Sequence, residues 1–174
     1  MKTVNLTIAG TCTGDAGPGG WAFVLRMDEH SMERTGGSPQ TTRGQMELNA
    51  VIEGLKALRE RCQVFLNSDN EYLLNGIPFR PDECRLARYA QMWKRLPYRL
   101  PDCDLWQKLD LIANKHRIHR QYITGTFFHP DKARCNKLAE AHAAQFLDIS
   151  CWLHCWIRLM PVLQDRALSV DGSL

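Results

Sequence analysis

The sequence predicts an α/β fold, a mixed five-stranded sheet flanked by helices. Three observations carry this reading. Val4 to Ile8 and Trp21 to Leu25 are β-rich runs on either side of the glycine-rich GDAGPGG, so the chain opens on an antiparallel pair. Leu48, Val51, Ile52, Leu55 and Leu58 recur at three- and four-residue spacing, which makes one apolar stripe along a helix. The short apolar run Gln63 to Asn67 follows that helix and reads as a buried strand. Strand, helix, strand in that order implies a right-handed crossover onto a parallel pair. A meander joined to parallel strands makes the sheet mixed.

The elements follow in order. Val4 to Ile8 alternates and is β-branched, so it is a strand; Gly14 to Gly20 is a turn, and Trp21 to Leu25 returns. Ser31 to Thr35 forms a third strand and GGSPQTT a loop, from which Thr41 or Thr42 caps a helix from Gln45 to Glu60. Asp69 lies just past the end of the fourth strand. Asp82 to Leu96 reads as a helix with Leu86, Tyr89, Ala90 and Trp93 on one side; with the turn after it, it carries Arg85, Arg88, Lys94, Arg95 and Arg99. Asp102 or Asp104 starts another helix through Asn114. Arg117 to Thr124 is the fifth strand, and Ala133 to Leu147 the last helix after the loop GTFFHPD. Residues 1–147 form one domain; 148–174 are a Trp- and Leu-rich extension.

Composition narrows the function. Apolar residues are 44% and charged residues 24%, as in a soluble globular chain. A net charge of +3 and a pI near 8.5 permit nucleic-acid binding without demanding it. No apolar stretch is long enough to span a membrane, and the apolar part of the N-terminus is too short for a secretory leader. Seven scattered cysteines fit free thiols in a reducing cytoplasm.

Five short segments then point further: GTCTGDAGPGGW, QMELNAVIEGLKAL, NSDNEY, DLWQKLD and HPDKARCNKLAEAHA, the first beginning at Gly10 and the last ending at Ala143. In this order they resemble type 1 ribonuclease H. The resemblance implies a ribonuclease H-like fold and metal-dependent endonucleolytic hydrolysis of the RNA strand of an RNA–DNA hybrid. It also implies two divalent ions, Mg²⁺ or Mn²⁺, held by four carboxylates. Phosphodiester hydrolysis needs an activated water and a stabilised leaving oxygen, and a metal pair supplies both. Hard divalent ions prefer oxygen ligands.

Carried over position by position, two of the four carboxylates are present: Glu47 and Asp69 are the catalytic and metal-binding candidates. The first-strand aspartate falls on Ala9 and the last-helix aspartate on Asn136, a weakened third ligand. Thr42, Arg43 and Cys12 are the nucleic-acid candidates near the glycine-rich turn, with Cys12 and Cys135 also at positions where the family commonly has cysteine. Arg88, Lys94 and Arg95 stand where some family members carry a basic protrusion. Other positions depart from the family. Thr126 stands where a mobile histidine is usual, with His129 a poor substitute; Asp15 replaces an asparagine, Arg43 and Gly44 an asparagine pair, and Glu71 an amide.

Three functions remain open on the sequence. The first is a diverged homologue with an incomplete metal site, inactive or very weak, that binds a hybrid, a duplex or a protein. In that reading metal binding is weakened or absent. The second is an active hybrid-specific endoribonuclease seen as an Asp-to-Ala variant at residue 9. The third is a protein-interaction scaffold that self-associates or holds a partner through Trp152 and Trp156. Cys151, His154 and Cys155 lack a zinc-site spacing and read as buried apolar groups.

Overall fold

The computed structural model describes residues 1–77, 102–124 and 129–147. The basic helix with Arg88, Lys94 and Arg95, the loop residue Thr126, and the extension with Trp152 and Trp156 lie outside the described residues.

Five strands form one sheet in the order β3-β2-β1-β4-β5. β1 (Lys2–Cys12), β2 (Gly17–Met27) and β3 (His30–Thr41) make the antiparallel meander. β1 then pairs in parallel with β4 (Cys62–Ser68), and β4 with β5 (Arg117–Tyr122). The mixed sheet is therefore as the alternation and crossover imply.

Its first strands are longer than expected. Gly17 to Gly20 belongs to β2 rather than to a turn, and GGSPQT belongs to β3: Gly20 pairs with Gly37 and Gly19 with Ser38, with a bulge between Gly17 and Gly19. The turn itself is only residues 13–16, with Gly14 at φ +70°. The glycines serve packing. A Cβ on Gly20 would stand 2.1 Å from the carbonyl oxygen of Ala139, so only a bare backbone lets the last helix lie on the strand.

Helix α1 (Arg43–Lys56) begins with a capping box. Thr42 Oγ1 accepts from the Gln45 backbone N–H at 3.3 Å, and Gln45 Oε1 accepts from the Thr42 N–H at 3.2 Å. Thr42, not Thr41, is thus the cap. The helix stops four residues before the expected Glu60, because the chain must turn to set Cys62 beside Lys2 in the parallel pair. A short helix unforeseen in the sequence, α2 (Glu71–Gly76), is capped by Asn70, whose Oδ1 accepts from the Leu73 N–H at 3.1 Å. Helix α3 (Cys103–Ala113) follows Asp102, which does not cap it through its side chain. Asp102 sits at φ 60°, and its carboxylate accepts from Gln45 Nε2 at 2.8 Å, tying α3 to the start of α1. The last helix, α4, covers residues 130–147 and starts three residues before Ala133.

The sheet divides the core in two. Val4, Leu6 and Ile8 of β1 face the helices α1 to α3 among Leu48, Val51, Ile52, Leu55, Leu66 and Trp106. The alternate residue Ala9 faces the other way, with Ala22, Val24, Cys135 and Ala139 under α4. Leu58, the last position of the expected stripe, is only partly buried against the first cluster. No helix among the described residues is long and apolar enough to cross a membrane.

Candidate functional site

The candidate residues gather at the C-terminal ends of β1 and β4. The parallel register sets Thr7 beside Asn67, two residues before Ala9 on one strand and two before Asp69 on the other. Helix α1 arrives from the opposite face. Gly10 makes room for it: a Cβ there would lie 2.5 Å from the backbone nitrogen of Glu47 and 2.7 Å from its Cγ. This close approach carries Glu47, fully buried, to the strand ends.

Both carboxylates are engaged by groups of the protein itself. Arg43 Nε donates to Glu47 Oε1 at 2.9 Å, one helical turn back, and Asn70 Nδ2 donates to Glu47 Oε2. The same guanidinium stands 3.6 Å from Asp69 Oδ2. Lys132, with a side chain only 2% exposed, donates from Nζ to Asp69 Oδ1 at 2.7 Å and to the carbonyl oxygen of Ile8 at 2.9 Å. The hydrogen bond to Glu47 is the main cause that holds the Arg43 guanidinium above its ordinary pKa.

The first turns of α4 that carry Lys132 are pinned to the sheet. Arg26 donates twice to Asp131, each bond 2.6 Å long. Arg134 meets Glu33 at 3.0–3.1 Å, and Cys135 Sγ donates to the Thr7 carbonyl oxygen at 3.3 Å. Burial pushes the Cys135 thiol up to about 12, so it stays protonated.

The expected residues are thus placed as follows. Glu47 and Asp69 come together and share Arg43. Ala9 is buried and supplies no ligand atom from its side chain. Asn136 is half-buried one turn beyond Lys132, with no hydrogen-bond partner among the described residues. Thr42 caps α1, and Cys12 Sγ donates to the Thr41 carbonyl oxygen at 3.0 Å, which joins the glycine-rich turn to that cap. Asp15, Glu71 and His129 are exposed. A shallow cavity of about 270 Å³ touches Glu47, Asn70, Asp102 and Trp106 but not Asp69. Among the described residues no three His, Cys, Asp or Glu side chains converge as a metal-holding group.

Lys132 and Asn70 are the site residues that sequence reasoning passed over. Lys132 carried a signal: Lys132, Cys135, Ala139 and Ala143 share one helical face, and the other three are small and buried. A lysine on a buried stripe needs an anion, and Asp69 is it.

Known proteins with this sequence pattern agree on the lineage. The RNase H family model matches residues 1–145. A Ribonuclease H of Solibacter usitatus is 39% identical over 151 residues, covering 83% of this chain and 97% of that protein. One from Chelativorans sp. is 37% identical over 152 residues, covering 84% and 88%. One from Escherichia coli O127:H6 is 34% identical over 177 residues, covering 98% and 99%. Among solved structures, that of LC9-RNase H1, described as a type 1 RNase H with the type 2 active-site motif, superposes with a TM-score of 0.69 at 23% identity. It covers 83% of this chain and 73% of that one. Sheet order, the placing of Glu47 and Asp69 at the strand ends, and this match over most of the length lead to one assignment: the chain belongs to the ribonuclease H family.

Proposed function

We propose that this chain is a diverged ribonuclease H that binds an RNA–DNA hybrid or a duplex and cuts it very slowly or not at all. The observation that carries this reading is the pairing of Lys132 with Asp69 and with the carbonyl oxygen of Ile8, the residue before Ala9. The residues present do not fit a pair of divalent ions. Ala9 offers no oxygen, Asn136 offers a neutral one, Glu47 has both oxygens engaged, and Asp69 faces two cations. These residues leave an attacking water without the ligand set that would hold a metal to acidify it, and both oxygens of Glu47 are already engaged.

Binding asks less of the site. The Arg43 side chain is 61% exposed, so its other terminal nitrogen, Nη1, can meet a backbone phosphate while Nε stays on Glu47 and Nη2 on Asp69. Thr42, in the preceding cap, is a further proposed contact, and Arg88, Lys94 and Arg95, outside the described residues, are proposed to add positive charge for the nucleic acid. Asp15 and Glu71 oppose it with like charge, so affinity is modest and falls steeply with salt. LC11-RNase H1, whose fold this chain shares at a TM-score of 0.55 and 15% identity, was solved in complex with RNA/DNA hybrid. Cytoplasmic residence belongs to the same reading, consistent with the free thiols of Cys12, Cys62, Cys103 and Cys135.

A second reading has its own support. Relatives 34–39% identical bear the name Ribonuclease H, which favours an active hybrid-specific endoribonuclease with one lost ligand at Ala9. The two readings separate on one comparison. If the second holds, Ala9→Asp restores cutting of a hybrid; if the first holds, the hybrid is bound but stays intact with either residue.

A further inference from the structure

We propose that Lys132 and Arg43 are built-in cations that replace the family's two metal ions, so that the site is closed to divalent metal. This rests on the reading of the strand ends as the family's metal position. The charges balance on both sides of the exchange. Four carboxylates with two divalent ions sum to zero, and so do Glu47 and Asp69 with Arg43 and Lys132.

Geometry makes the exchange specific. Each of the four carboxylate oxygens faces a nitrogen of the protein: Glu47 Oε1 meets Arg43 Nε, Oε2 meets Asn70 Nδ2, Asp69 Oδ1 meets Lys132 Nζ, and Asp69 Oδ2 meets the outer Arg43 nitrogen. A metal ion would have to displace these groups and then remain beside two positive charges. Lys132 cannot swing into water to make way. Its side chain is 2% exposed and also bonded to the Ile8 carbonyl oxygen. The backbone that carries it is clamped by the Arg26–Asp131 and Arg134–Glu33 pairs. A lysine held this firmly, and bonded to the carbonyl of Ile8, the residue before Ala9, is a built part of the site. It is not a surface lysine that folded inward.

The test is metal binding, followed by Mn²⁺ paramagnetic resonance and by the thermal midpoint with and without Mg²⁺. This chain is expected to leave Mn²⁺ free at about millimolar concentration and to keep its midpoint unmoved, since a ligand that does not bind adds no stability. Lys132→Gln, which keeps a donor for Ile8, and the Arg43→Gln/Lys132→Gln pair are expected to take up Mn²⁺ and melt higher in Mg²⁺. Arg43→Gln alone, at an exposed position, serves if the Lys132 variants fail to fold, and is expected to bind Mn²⁺ weakly. Uptake of Mn²⁺ by the unmodified chain overturns the proposal. Failure of every folded variant to gain Mn²⁺ does so too, because the cations would then not be what excludes the metal. Hybrid binding, read by mobility shift in chelator, is a separate arm. Its loss in a chain that ignores Mn²⁺ refutes the binding function and leaves the cation replacement standing.

Discussion

Lys132 Nζ lies 2.7 Å from Asp69 Oδ1 and 2.9 Å from the Ile8 carbonyl oxygen, so a lysine ammonium joins the ends of two parallel strands. The pair is asymmetric: the Lys132 side chain is 2% exposed and that of Asp69 31%. The two members therefore fail differently when their partner is removed. Asp69→Ala strands an ammonium in the interior with only the Ile8 carbonyl, and the expected loss approaches the roughly 3–5 kcal/mol of a broken buried pair. Lys132→Gln leaves a carboxylate that water and Arg43 still reach, and is expected to cost about 1–2 kcal/mol after that relief. Urea denaturation of the two variants decides it; equal losses would contradict the buried-lysine geometry.

The contact of α1 with β1 at Gly10 gives a sharper steric expectation. Gly10→Ala forces a Cβ to within 2.5 Å of the Glu47 nitrogen, so the helix start must back away from the strand. A loss of about 1–3 kcal/mol is expected, typical of overpacking. Gly44 is the control. It lies in the first turn of α1 with open space around it, and Gly44→Ala is expected to raise stability by about 0.4–1 kcal/mol through the unfolded chain. Opposite signs for the two substitutions are the result to look for in urea melts.

His116 should tie stability to pH. Its Nδ1 accepts the Cys62 N–H at 3.3 Å, which requires the neutral ring. Burial, with smaller contributions from Lys115 and Arg61, lowers its pKa below 6.5. The unfolded chain takes up a proton first as pH falls, so this contribution is whole above pH 6.5 and is lost as pH drops through the folded value. Stability is expected to be lower at about pH 5 than at about pH 7.5, with a shallower dependence in His116→Gln. An unchanged dependence in that variant would assign the effect to other groups.

Cys135 is expected to be chemically silent in the folded protein. Its thiol is pushed up to about 12 by burial and donates to the Thr7 carbonyl oxygen. Native alkylation with iodoacetamide at about pH 8, mapped by mass spectrometry, should leave it unmodified until urea is added, since only a thiolate reacts. Rapid native labelling would mean that α4 leaves the sheet.

Much of this architecture is legible in the sequence, and the gaps have physical causes. Alternation in β1 and the stripe Leu48 to Leu55 mark their elements because burial on one face dictates them. Gly17 to Gly20 reads as a turn because glycine usually weakens strands; here the absence of side chains is what admits α4, a contact made 119 residues away in the chain between Gly20 and Ala139. Six-residue α2 leaves too short a period to be seen and depends on the Asn70 cap. Glu47 and Asp69, which the fold brings together at the strand ends, are readable from their motifs. Lys132 shows only in its place on the buried stripe of the last helix; a lysine in a helix ordinarily faces water, and its anion, Asp69, lies just past the end of β4, 63 residues back in the chain.

The decisive measurement is cleavage of an end-labelled RNA–DNA hybrid in Mg²⁺ and then Mn²⁺, with mobility shift of the same hybrid run alongside. This chain is set against Ala9→Asp and against Ala9→Asp with Asn136→Asp. The chain and the single reversion should both shift the hybrid and leave it intact, because Lys132 and Arg43 still occupy the carboxylates. Efficient cutting by the chain itself, or by Ala9→Asp alone, would show a working ribonuclease H and contradict the loss of catalysis proposed for this site.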